Sequence, residues 1–197
     1  MVNNSGVNKG VIANNVDAVY INADIKKRIP SLLPKFIEVL AKQYTSDSPK
    51  QDIDNNQPYE IEEKIEYNKI FLHKELIEEY YIYYYICERS FESLRHIDEN
   101  SKKNILTDIN DIYRDIRIEI FKQCTSEEPI EEFKKKIKTS SDEIIKSVKT
   151  EIRNRIITSY DGEQFNEQEL NLCLNIFVCY ALAECKILER PKKSVDN

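Results

Sequence analysis

The chain has 197 residues, 41% hydrophobic and 32% charged, with a net charge of −6, which fits one well-buried domain with an appendage and is short for two full domains. Its three glycines, Gly6, Gly10 and Gly162, leave the body almost glycine-free, which excludes most folds that cradle phosphate in a loop. Residues 1–58 carry seven basic and six acidic groups, 59–128 ten and seventeen, and 129–197 twelve of each, so no basic field marks a general nucleic-acid platform and direct nucleic-acid binding is not expected.

Residues 1–30 read as an extended Asn/Gly-rich N-terminal arm. Only 16–22 is rich enough in β-branched and aromatic residues to suggest a short strand. A lone strand needs something to pair with, so Val16, Val19, Tyr20 and Ile21 are candidate interface residues for a partner protein or for the arm of a second copy in a homo-oligomer. The polar start shows no signal peptide, and the apolar runs at 80–87 and 172–183 are too short to span a bilayer. A cytoplasmic protein with no membrane contact is expected.

A short helix is expected over 33–44, with Phe36, Val39, Leu40 and Tyr44 on one face, followed by a polar linker, TSDSPKQDIDNNQP, ending at residue 58. Composition separates this 31–58 segment from an all-helical body over 59–191. There the spacing predicts helices over 59–68, exiting at Asn68, over 71–97 and over 103–122, where Ile105, Ile109, Ile112, Ile116 and Ile120 form one stripe. Another is predicted over 129–157, interrupted near 139–143, where Ser140 and Glu143 have capping-box spacing; Asn166 and Glu169 repeat that spacing. The final segment, 166–188, is apolar on every side and is expected at the centre. The fold class is therefore all-α, a bundle of four to five main helices around a buried C-terminal helix, with a basic and polar tail over 192–197.

Five cysteines without a CxxC pair read as small buried hydrophobes in a reducing compartment, not as a disulfide frame or metal site. Neither histidine, His73 nor His96, sits in a metal motif, and no cofactor is expected. The lysine run at 134–138 reads as a solvated helix face paired with Glu131 and Glu132. Five tyrosines, Tyr80, Tyr81, Tyr83, Tyr84 and Tyr85, lie within six residues. On a helix they point all round and cannot form one base-stacking platform, so a division between core and protein interface is expected. Arg89 and His96 bracket RSFESLRH, which resembles the Rx4-6H motif of the HEPN superfamily. That resemblance implies a metal-independent ribonuclease in which His96 does acid–base or positioning chemistry and Arg89 holds the phosphate.

Three further stretches, YEIEEKIEYN (59–68), NILTDINDIY (104–113) and AECKILERP (183–191), together with the lead-in NNSGVNKGVIANNVDAVYIN, resemble the C-terminal domains of ABC-three-component (Lamassu-like) bacterial antiviral defence systems. The resemblance covers 59–191. It implies a non-catalytic interaction module coupled to an SMC-like ATPase, an effector or a middle subunit, and no active-site residue comes with it. The expected interface comprises exposed members of the tyrosine run, Glu62, Glu63, Lys64 and Tyr67, and Lys186 and Arg190 beside the end of the apolar helix. The rival readings are the HEPN-like ribonuclease and an immunity or antitoxin protein that binds a basic toxin through its acidic middle third.

Overall fold

The computed structural model describes residues 31–46, 61–159 and 165–191. Among them are eight helices and no strand: α1 (Leu32–Ser46), α2 (Ile61–Asn68), α3 (Lys74–Tyr81), α4 (Tyr84–Leu94), α5 (Ser101–Lys122), α6 (Pro129–Thr139), α7 (Ser141–Thr158) and α8 (Glu167–Ala183). The N-terminal arm with Val16, Val19, Tyr20 and Ile21, and the tail after residue 191, lie outside the described residues.

The all-α reading holds, and α8 is the central element. Every residue from Ile176 to Ala183 is buried, as are Leu170, Cys173 and Leu174, because α1, α3, α4 and α7 pack round it. Each large aliphatic or aromatic side chain so buried contributes about 1.5–3 kcal/mol. Asn166 caps the helix as its spacing predicts: its Oδ1 accepts from the Glu169 N–H at 2.8 Å, and its Nδ2 donates to the Glu169 carboxylate at 3.3 Å.

Helix α1 belongs to the same core, which corrects its separation from the helical body by linker composition. Phe36 is fully buried and stacks on Phe91 of α4 at 4.3 Å and against Phe177 of α8 at 4.7 Å between ring centroids. A polar linker sets how an element is tethered and says nothing about where its apolar face docks.

The single helix expected over 71–97 is two helices, α3 and α4, broken at Ile82 and Tyr83 without a glycine or proline. The break lets consecutive aromatics face different neighbours: Tyr83 meets Tyr44 of α1 at 5.1 Å, and Tyr84 meets Tyr180 of α8 at 4.7 Å. The expected interruption near residue 140 separates α6 from α7, but Ser140 makes no side-chain cap. Ser141 makes the hydrogen bonds instead, its hydroxyl donating to the Asn68 carbonyl at 2.6 Å. The final helix stops at Ala183, and residues 184–191 form a non-helical hook in which Ile187 and Leu188 are buried.

Candidate interaction surfaces around a buried clasp

Helix α8 ends inside the fold, so its last carbonyls cannot turn to water and need protein donors. The hook provides two of them: Lys186 N–H donates to the Ala181 carbonyl at 2.9 Å and Cys185 N–H to Leu182 at 3.1 Å, with Cys185 in the left-handed region at φ 55°. Lys64 of α2 also donates to the Leu182 carbonyl. A cation is favourable there, at the negative end of the helix dipole.

Lys64 is fully buried, so its ammonium is not on the surface where an interface residue was expected. Burial pushes it below the ordinary lysine range, offset in part by the Cys185 sulfur beside it. One turn later, Asn68 is buried too and holds the hook in both directions. Its Nδ2 donates to the Glu189 carbonyl and its Oδ1 accepts from the Glu189 N–H, each at 2.9 Å. From α5, Asn110 donates to the Lys186 carbonyl at 3.0 Å, and the Tyr113 hydroxyl donates to the Glu189 carboxylate at 2.9 Å.

The three stretches that carry the family resemblance therefore meet: Lys64 and Asn68 from the first, Asn110 and Tyr113 from the second, and the hook itself from the third. They form a structural clasp. Its signal was present in the sequence, because Ile61, Lys64, Ile65 and Asn68 follow helical spacing and share the inward stripe of α2.

The family model of C-terminal domain 10 of the ABC-three component (ABC-3C) systems matches residues 33–189. The chain belongs to this family. The match to the ABC-3C domain takes in α1, which the resemblance over 59–191 had left out, and it ends at Glu189, the residue that Asn68 clasps. No curated protein and no solved structure matches the chain.

None of the five clustered tyrosines of this ABC-3C domain stands fully exposed; all are half-buried and packed against the core. The Tyr84 hydroxyl donates to Glu184. The Tyr180 hydroxyl donates to Glu88 at 2.6 Å, and Lys102 binds the same carboxylate at 2.7 and 3.0 Å. Burial, with Glu184 and Glu88 alongside, raises the Tyr84 phenol well above its ordinary range.

Glu62 and Glu63 are exposed on α2, and Tyr67 is half-buried with the Lys138 ammonium 3.9 Å above its ring. Lys186 is half-buried and Arg190 exposed on the hook. In the lysine run, Lys136 pairs with Glu132 at 2.9 Å, while Glu131 pairs with Lys134 at 2.6 Å and not with Lys135.

Arg89 is exposed on α4, but that helix ends at Leu94, leaving His96 in the exposed turn beyond it. The two-turn spacing on one continuous helix, which would align them, is not present. An open depression of about 390 Å³ lies at the start of α5, lined by Arg95, Glu99, Lys102, Lys103, Glu184 and Lys186 among others, and neither Arg89 nor His96 lines it. Among the described residues no group of His, Cys, Asp and Glu side chains is placed to hold a metal ion, and no helix is long and apolar enough to cross a membrane. The five cysteines are free, with Cys87, Cys173 and Cys179 buried.

The sequence reading missed Phe71 and Leu72. They are the most exposed large hydrophobic residues described, at 82% and 74% of their full accessible surface. They sit in the short turn between α2 and α3, and Asp142 at the start of α7 fixes that turn. The Asp142 carboxylate accepts from the Phe71 N–H at 3.0 Å, the His73 N–H at 2.8 Å and the His73 ring Nδ1 at 2.8 Å.

Proposed function

We propose that this protein is a non-catalytic assembly module of an ABC-3C antiviral defence complex, holding a protein partner such as the SMC-like ATPase, the effector or the middle subunit. The observation that carries the reading is the extent of the family match, which runs from α1 through the clasped hook and so takes in the whole described fold. A domain whose polar groups are spent on fixing its own C-terminal hook is built for rigidity, and rigidity lowers the entropic cost of docking.

The experiment is affinity capture of the tagged full-length protein from its native cells, with subunits identified and the eluate sized by light scattering. An ATPase or effector recovered in fixed stoichiometry supports the reading. A protein that returns alone overturns it, and RNA cleavage by the purified form that Arg89→Ala or His96→Ala abolishes assigns catalysis in its place.

A further inference from the structure

From the Phe71–Leu72 turn we infer the docking point of this module: a paired apolar knob that inserts into an apolar pocket, rimmed by basic residues, on another subunit of the complex. The inference rests on the assembly reading above and adds the surface and the chemistry of its complement.

Phenylalanine and leucine side chains that are each mostly in water carry an unrecovered hydration cost. Isolated exposed apolar residues are ordinary, but these two are adjacent and immobilised. Lys69, at the C-terminus of α2, adopts φ 54°, and the turn closes with the Lys69 N–H on Glu66 at 3.1 Å and the Ile70 N–H on Ile65 at 3.0 Å. Ile70 is buried directly before the knob. Asp142 takes up the amides at both ends of the knob, those of Phe71 and His73. The backbone is thus pinned on both sides while the two side chains project outward. This is the arrangement of a pre-organised anchor, in which large apolar side chains fill a partner's pocket and little conformational entropy is lost on binding.

The surrounding charge selects the occupant. The helices leading into and out of the turn expose Glu62, Glu63, Glu66, Glu75, Glu78 and Glu79 against Lys69 and Lys74. Lys138 of α6 lies over Tyr67 of α2 and Lys74 is already paired with Glu78 at 3.7 Å, so the flanking surface stays acidic. A second copy docking knob to knob would bring two acidic rims together, which like-charge repulsion opposes. A pocket with lysine or arginine round its mouth complements both the knob and the rim.

The test uses the full-length protein with a photo-cross-linking phenylalanine analogue at position 71, and separately the double variant Phe71→Ala/Leu72→Ala. Both side chains are exposed, so the double variant is expected to melt as the wild type does, which a circular-dichroism melt checks. The expected result is a cross-link to apolar residues of another subunit with basic residues beside them, and at least about a tenfold loss of that subunit from captures of the double variant. Equal capture of the subunit by wild type and double variant overturns the docking point while leaving the assembly reading standing. Cross-links to a second copy of the chain overturn the choice of occupant. Failure of the wild type itself to capture any subunit overturns both readings.

Discussion

Asn68 and Glu189, 121 residues apart in sequence, exchange two hydrogen bonds through one side-chain amide and the backbone N–H and carbonyl of one residue. The amide acts as a surrogate strand partner, tying an irregular hook to the end of a helix where no sheet exists to do so. It also donates to the Lys64 carbonyl at 3.0 Å.

Asn68→Ala therefore leaves the part-buried Glu189 N–H and carbonyl without their protein partner. The expected cost is about 2–4 kcal/mol, from several hydrogen bonds lost with their acceptors and donors left behind. Urea unfolding reads it as a lower midpoint at unchanged slope. Asn68→Asp keeps the acceptor and loses the donors, so its midpoint is expected to fall as well. A midpoint that stays at the wild-type value in Asn68→Ala would remove the clasp from the stability of the fold.

Asp142 connects the start of α7 to the knob. Burial raises its carboxyl, but the His73 ring and the amides of Phe71, Leu72 and His73 outweigh burial and hold it below the usual aspartate range. A carboxylate with a folded pKa below its unfolded value stabilises the protein at pH values above the unfolded value, near 3.8, and loses that contribution as pH falls through the depressed folded one. Asp142→Asn is expected to cost about 1–2 kcal/mol at pH 7, the scale of charge-assisted hydrogen bonds replaced by neutral ones. The difference from wild type should hold between pH 7 and 5 and shrink below about pH 4. Urea midpoints of both proteins at pH 7, 5, 4 and 3 test this; a difference independent of pH would show that shape, not charge, holds the turn.

Lys64 gives a slope of the same sign at the alkaline end of the pH scale. Its folded pKa lies below the lysine value of 10.5 because burial penalises the ammonium. Between the lowered value and 10.5 the unfolded chain binds more protons, so stability rises with pH in that window. Lys64→Met keeps a long flexible apolar stem and deletes the charge, so wild type is expected to gain stability relative to this variant as pH climbs from 7 towards 10.5. Cys173 and Cys179, pushed up to about 12 by burial, cost both proteins stability above pH 9, and that loss cancels in the comparison. Parallel pH profiles of the two proteins would mean that the ammonium loses no proton affinity on folding.

What the sequence displayed was periodicity. The all-round apolar character of α8, the isoleucine stripe of α5 and the Asn166–Glu169 cap are local patterns set by neighbours in the chain, and each is present in the fold. Three features were not legible because they depend on distant partners. The break at Ile82 and Tyr83 comes from the need of Tyr83 and Tyr84 to reach α1 and α8, not from a breaker residue. The placement of Phe36 in the core depends on Phe91 and Phe177. The exposure of Phe71 and Leu72 depends on Asp142, some seventy residues away; read along the chain, they looked like the opening turn of an amphipathic helix. The interface expectations on the tyrosine run met the same limit, since density of tyrosine cannot tell a side chain packed against α8 from one offered to a partner.

Lys69 tests the backbone economy of a chain so poor in glycine. It occupies the left-handed position after α2, with the 6→1 hydrogen bond from Ile70 to Ile65 and the 5→2 bond from Lys69 to Glu66 that glycine ordinarily completes. A side chain with a Cβ costs about 1–2 kcal/mol in this region, while glycine returns about 0.4–1 kcal/mol through the greater freedom of the unfolded chain. The Lys69 side chain is exposed, so little packing is lost with it. Lys69→Gly is expected to raise stability by about 0.5–1 kcal/mol, visible as a higher urea midpoint. The same substitution at Lys146, exposed in the interior of α7, lowers stability by about 1 kcal/mol, because glycine within a helix forfeits backbone order without relieving any strain. Destabilisation at both sites would mean that the lysine side chain at position 69 makes a contribution larger than the strain it imposes.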